Sequence, residues 1–457
     1  MSRSTIFKNN DEKEVEKHVG IEDYCISHIR GIGGEYKASH KDFIVKEITK
    51  DGKTLEMRED SESHPFLEEF KDKYTTFNLI KINKDTFEAI NEINKKLKVS
   101  SNSIQYSGLK DKCSISVQRV SIKGNYIQKL KNLKLNDIYL RNIIPSNKPI
   151  KLGSHFGNNF TIIIRNINPE NDVEERISQI VNYLNSMGFP NYYGLQRFGS
   201  LRPNSHKIGK SILQQEYEEA YHEFITAIYS TESTKAQQVR INLAKTGDLE
   251  KALEEFPQTL RYERKIIKSL IDKPGNYKAA FDTISPGLKT LLISSFQSWI
   301  FNKMVSKRRE KGFSLFKPYD GDRIVILDDE LGNLTQISYI YGGLYDKSLD
   351  EAFKMNRAVI VAPLIGYNTK LEDFPLMKDI FQEVASQEKI DINFLDNDIL
   401  NEYEFKGSYR AITVKPIGLK VIELSDDEFN NDKLKLKIEF SLGRGSYATM
   451  LLRELIK

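Results

Sequence analysis

The stretch "KLKLKIEF", Lys433 to Phe440, alternates without a break, with Leu434, Leu436, Ile438 and Phe440 set between Lys433, Lys435, Lys437 and Glu439. A period of two sends successive side chains to opposite faces of a strand, so one face is buried and the other wet. Such a strand needs a sheet to join. It runs on into "GRGSYATMLLRELIK", Gly443 to Lys457, where Tyr447, Leu451 and Leu455 recur at helical spacing. A last strand and helix of this kind can complete a sheet begun near the N-terminus. This layout predicts a discontinuous first domain, residues 1–200 and 405–457, with a second domain inserted at 200–405.

Earlier segments supply the rest of that sheet. Ala38–Ile48 and Thr75–Ile82 read as short strands, and the second feeds "DTFEAINEINKKL", in which Asp85 and Glu88 have capping-box spacing. Phe87, Ile90, Ile93 and Leu97 then fall on one helical face. Strand signals return at Ile115–Ile122 and Phe160–Arg165, and a helix follows Pro169 with Val173, Ile177, Ile180 and Leu184 at helical spacing. The charged segment Asp51–Lys73 has no apolar period and reads as a loop or insertion. The longest helical signal spans Ser285 to Gly312, with Ser285 as N-cap, Pro286 at the first helical position and Gly312 as the stop. Its Leu288, Leu292, Trp299 and Met304 read as core. No tandem repeat is present, and the class is α+β.

A chain of 457 residues exceeds what one core usually serves. With 39 % hydrophobic and 29 % charged residues, and no run of about 18 apolar residues, it predicts a folded chain that does not span a membrane. The first twenty residues mix both charges and lack the apolar core of a signal peptide, so a cytoplasmic location is expected. Cys25 and Cys113 are too few for a disulfide framework or a zinc site, and the 7 histidines are scattered. No metal and no cofactor are therefore expected. Net charge is only +4, but basic residues gather at Arg197, Arg202, Lys207 and Lys210, at Arg264, Lys265 and Lys268, and from Lys303 to Lys311. These clusters can hold phosphates, although solvated helix faces account for them as well.

Six stretches in order resemble the TruD family of tRNA pseudouridine synthases, as an archaeal-type member: "ASHKDFIVKEI", "SGLKDKCSISVQ", "GNNF", "NYYGLQRFG", "FQSWIFNKMVSKR" and "GSYATMLLREL". They sample nearly the whole chain, and "GLKDK" and "NYYGLQRFG" are the most specific. The resemblance implies a mostly antiparallel pseudouridine-synthase-like catalytic domain with an inserted α/β TRUD domain. It also implies a tRNA substrate, modification of uridine 13 in the D arm, and a cleft that grips folded RNA by shape and backbone.

By the same resemblance, Asp111 in "GLKD" matches the catalytic aspartate. The reaction breaks the bond from uracil N1 to ribose C1′ and rejoins the base through C5, for which an ionised carboxylate can act as nucleophile or base. Phe160 would stack on the target uracil and Asn158 would hydrogen-bond near the aspartate; without the family, Phe160 reads as core beside Ile162 and Ile164. Lys110 would favour ionisation of Asp111 if their charges lie close. Phe43, with Lys46, would border the site, although a buried strand phenylalanine and a solvated lysine are the default, and Gln196 and Arg197 would hold the active-site loop or a phosphate. Gln118 keeps the family's glutamine, whereas Cys113 and Ser116 replace the alanine and threonine expected there. A monomer with no obligatory protein partner is expected. Two other classes compete with this reading: a non-catalytic RNA-binding or RNA-chaperone protein on the same fold, and a carboxylate hydrolase, for which no second acidic motif stands out.

Overall fold

A computed structural model describes residues 6–7, 12–59, 73–100, 102–199, 201–328, 333–344, 346–391 and 405–457. Most of the segment read as a charged loop, residues 60–72, lies outside the described residues.

The large sheet is built from β1 (Phe43–Ile48), β2 (Tyr74–Ile82), β3 (Ile115–Lys123), β4 (Ile138–Ser146), β5 (Gly157–Ile167), β10 (Ile417–Asp426) and β11 (Leu434–Gly443). In space they run β10-β11-β5-β1-β3-β2-β4, antiparallel except where β1 lies parallel to β3. Leu436, Ile438 and Phe440 of β11 are at most 1 % exposed, and their alternation fixes its register, Phe440 facing Phe160 and Ile438 facing Ile162. A slip by one residue would bury Lys435, Lys437 and Glu439 instead. Each of those apolar side chains contributes about 1.5–3 kcal/mol on burial. Where β5 begins, a Cβ on Gly157 would stand 2.2 Å from the Leu442 carbonyl oxygen, so only glycine admits that approach.

Helix α1 (Thr86–Leu97) starts at the expected capping box, Asp85 accepting from the Glu88 amide and Glu88 from that of Asp85. Phe87 departs from the expected apolar face. It is exposed, its ring edge-on to Tyr106, because the buried face is carried by Ala89, Ile90, Ile93, Asn94 and Leu97. Helix α2 (Val173–Met187) buries Val173, Ile177, Ile180 and Leu184 as the spacing predicts.

Between β5 and β10 the chain is helical, then forms a second sheet. Helix α3 (Ser205–Leu213) packs across the 25-residue α4 (Pro286–Glu310), which begins at the Ser285 cap and stops before Gly312 at φ +83°. Strands β6 (Arg323–Leu327), β7 (Leu334–Ile340), β8 (Ala358–Leu364) and β9 (Ser408–Ala411) lie in the order β7-β6-β8-β9, each described pairing antiparallel. Helix α5 (Pro375–Gln387) packs against α4.

At the basic end of α4, Arg308 is neither a phosphate ligand nor part of a solvated face, the two readings the sequence left open. Arg308 is fully buried, with Nη1 and Nη2 on the two carboxylate oxygens of Asp322 at 2.5 and 2.7 Å, and it serves the interior. Arg202 likewise caps the carbonyls of Glu223, Phe224 and Ala227, and Arg264 that of Phe256.

The final helix α6 (Ala448–Ile456) is clasped by the N-terminal segment. Glu454 accepts from the amides of Cys25 and Ile26, Arg453 pairs with Glu16 at 2.7 Å, and the Ile32 amide donates to Leu455.

Candidate active site

One face of the large sheet carries two apolar clusters with a polar strip between them. Phe77, Leu79, Ile90, Ile93, Val120 and Ile122 form one cluster, and Phe43, Val45, Phe160, Ile162 and Phe440 belong to the other. The strip is set by strand register: Lys81 faces Ser116, Gln118 follows two residues on, and Glu47 faces Asn158. Lys81, Gln118, Ser116 and Glu47 are all buried. Buried polar groups need partners, and here most of them hold the 107–114 loop.

Glu47 accepts from Lys110 Nζ at 3.0 Å, from the Ser107 hydroxyl at 2.5 Å and from the Arg119 amide at 3.2 Å. Gln118 donates to the Gly108 carbonyl at 3.2 Å and accepts from Thr86, whose hydroxyl also accepts from the Lys110 amide. Lys81 Nζ donates to the carbonyls of Lys84 and Asp111. Burial pushes the Lys81 ammonium down to about 8, the nearby Asp111 charge opposing the shift.

The backbone of Asp111 is thus fastened from beneath while its carboxylate stands in the open. Its side chain is 42 % exposed and pairs with Lys37 Nζ at 2.6 Å. Lys37 sits at φ +64°, with its ammonium 4.2 Å from the Phe43 ring centre. The Phe43 ring lies edge-on to Phe160 at 6.1 Å, and Phe160 stacks on Phe440 at 5.3 Å. Phe160 is 7 % exposed, so most of its ring is already in aromatic contact. Asn158 stands two residues before it, and its Oδ1 is buried with no partner among the described residues.

Phe43, Phe160 and Asn158 share one face of the sheet, and Asp111 adjoins Phe43 through Lys37; the hydrogen bond expected of Asn158 near the aspartate is not made among the described residues. Lys110 is turned inward: its ammonium meets Glu47, and Lys37 supplies the cation at Asp111 instead. Lys46 points to the opposite face and pairs with Glu56 at 2.7 Å. Gln196 is exposed in the short turn Leu195–Arg197, and Arg197 donates to Ser298 at 3.0 Å and lies 5.8 Å from the Tyr193 ring. That side reaches the site through Tyr447, which lies edge-on to Tyr193 at 6.1 Å and within electrostatic reach of Arg197, Arg410 and Asp111. Burial raises the Tyr447 hydroxyl above its ordinary range. Among the described residues no cluster of metal-ligating side chains occurs, and no helix is long and apolar enough to cross a membrane.

A family model described as tRNA pseudouridine synthase D (TruD) matches residues 18–455. The chain belongs to the TruD family. It is 32 % identical over 462 residues to the probable tRNA pseudouridine synthase D of Methanococcoides burtonii, covering 98 % of each chain. Over 448 residues it is 32 % identical to that of Methanosarcina barkeri, covering 97 % of this chain and 98 % of the relative. The TruD crystal structure from Methanosarcina mazei superposes with a TM-score of 0.77 at 30 % identity, covering 97 % of this chain and 98 % of that one. The mixed α+β fold with mostly antiparallel sheets is that of this TruD structure.

Within the TruD frame, the sequence reading missed Lys37, Glu47 and Lys81. A signal existed for two of them. Glu47 and Lys81 are charges inside otherwise apolar strand runs, "FIVKEI" and "FNLIKI", on faces that alternation assigns to the interior. Lys37 sits in an irregular segment, and nothing in its neighbours marks it.

Proposed function

We propose that this chain is a tRNA pseudouridine synthase that isomerises uridine 13 of tRNA, with Asp111 as the catalytic carboxylate. The supporting observation is the arrangement at Asp111: an open carboxylate paired with Lys37, on a loop whose backbone is fastened by buried Lys81 and Gln118 and whose Ser107 and Lys110 side chains are held by buried Glu47. A rigid support with an accessible reacting group is what a preorganised site requires. A uridine flipped out of the RNA meets Asp111 on one side and the Phe43, Phe160 and Tyr447 rings on the other, the aromatic faces offsetting lost base stacking.

The reaction is an isomerisation: the glycosidic bond to N1 breaks, C5 bonds to C1′, C5 releases its proton and N1 gains one. Residues 1–200 and 405–457 act in this reading as the catalytic unit and 200–405 as the inserted unit, except that β9, Ser408–Ala411, pairs with β8 in the second sheet and so goes with the inserted unit. The pairing of β11 with β5 supports that division.

Tritium release from a tRNA transcript labelled at uracil C5 tests the reading. Wild type should release label and Asp111→Ala should not, with the product mapping to position 13. Release by both proteins would remove Asp111 from the chemistry. No release from any tRNA would leave a binding protein on an enzyme's fold.

A further inference from the structure

Beside the Asp111 cleft lies a slot of about 220 Å³ between the second sheet and the turn that follows β11. Tyr193, Arg410, Lys415, Arg444 and Ser446 are among its lining residues, and among the described residues no aspartate or glutamate is. By contrast, the cavity around His206 and Trp299 is lined by lysines and glutamates together.

Arg410 is held in a fixed orientation. Its Nε donates to the Asn191 carbonyl at 3.0 Å and its Nη2 to the Asn191 side chain at 2.7 Å, while its guanidinium lies 4.1 Å from the Tyr193 ring centre. Asn191 is itself tied down, its Nδ2 donating to the Ala411 carbonyl at 3.0 Å. Arg410 Nη1 makes no hydrogen bond among the described residues. It faces Gly445, where an added Cβ would stand 3.5 Å away and where φ is +80°. A guanidinium fixed by two of its nitrogens, stacked on an aromatic ring and open at the third suits an oxyanion.

We infer that this slot is a phosphodiester-binding subsite, in which Arg410 Nη1 grips the backbone phosphate of a nucleotide next to the one held at Asp111. The inference rests on the RNA reading above. Arg444 adds a second cation at the slot's mouth, its Nη1 on the Gly153 carbonyl at 2.8 Å. Tyr447 links the two places: its ring lies edge-on at 6.1 Å to Tyr193, the ring that carries Arg410, and, after burial, the Asp111 charge is among the causes that raise its hydroxyl. Asn191 and Tyr193, the first and third residues of "NYYGLQRFG", thereby gain a purpose as the mount of Arg410.

The test compares wild type, Arg410→Gln and Ser446→Glu, measuring tRNA dissociation constants across a salt series together with tritium release. Ser446→Glu leaves the Arg410 mount intact and places a carboxylate in the slot, so it reports even if Arg410→Gln folds poorly. For both variants we expect about tenfold weaker binding, a higher KM with kcat nearly kept, and for Arg410→Gln a salt slope shallower by about one. Unchanged affinity and slope in folded variants, alongside active wild type, would overturn the subsite and leave the reaction standing. Wild type that releases no tritium yet binds RNA with the steeper slope would remove the reaction and keep the subsite. Wild type that binds no RNA would sink both.

Discussion

Lys81 reaches beneath the 107–114 loop and donates to the main-chain carbonyl of Asp111, with the Lys84 carbonyl as its second acceptor at 2.7 Å. The open carboxylate of Asp111 and the buried ammonium of Lys81 therefore lie on two sides of one residue, one at the front and one behind.

Lys81 carries a pH prediction. Its folded pKa, about 8, is depressed from the ordinary lysine value, with Asp85, Asp111, Glu88 and Lys110 as its charged neighbours. The unfolded chain keeps this proton to about pH 10.4, so wild-type stability relative to Lys81→Met should rise between pH 8 and 10, by up to about 3 kcal/mol. Tritium release should move the other way, falling above pH 8 as the loop's anchor loses its charge. Denaturation curves with identical pH dependence in the two proteins would refute the assignment.

Asp111→Asn should abolish release with little effect on melting. The carboxylate is 42 % exposed, and an ion pair so placed contributes at most about 1 kcal/mol. A fall of more than several degrees in Tm would mean that the pair with Lys37 is structural.

Phe160 divides two roles. Its ring is stacked on Phe440 and nearly buried, so Phe160→Ala should cost about 3–5 kcal/mol whatever its part in catalysis. Phe160→Leu fills most of the same volume and should melt within a few degrees of wild type. At least tenfold slower release from that variant is the expected sign of a ring that stacks on uracil, and normal release would assign Phe160 to the core.

Arg308 and Asp322 form a fully buried bidentate pair. Arg308→Met should destabilise by about 3–5 kcal/mol, because it strands a buried carboxylate, and Arg308→Met with Asp322→Leu should recover much of that loss. Below its melting range the single variant should bind tRNA with the wild-type salt slope. A shallower slope would return Arg308 to the RNA interface.

The elements were legible wherever one face is buried. "KLKLKIEF" states its own register, and the Asp85 capping box declares the start of α1. Phe87 was misread because an apolar residue in the first turn matches helical spacing whether or not anything packs over it. Arg308 was misread for a related reason: a basic helix end looks the same when its partner, Asp322, lies beyond the helix in a separate turn. At the site, motif residues were found by resemblance, while Lys37 and the anchors behind Asp111 depend on pairings between strands that no local spacing encodes.

The place of β11 also dictates an order of events during synthesis. Its partner β5 leaves the ribosome far earlier, and until residues 434–443 follow, Phe160, Ile162 and Ile164 lack the strand that covers their open edge. The Asp111 loop and its anchors, all within residues 47–118, can assemble first, so the growing chain would hold a chemically complete carboxylate beside an unfinished aromatic wall. Pairings between such distant segments close slowly and leave sticky intermediates. The aromatic wall beside Asp111 is therefore complete only once β11 and the helix clasped by the N-terminal segment are in place.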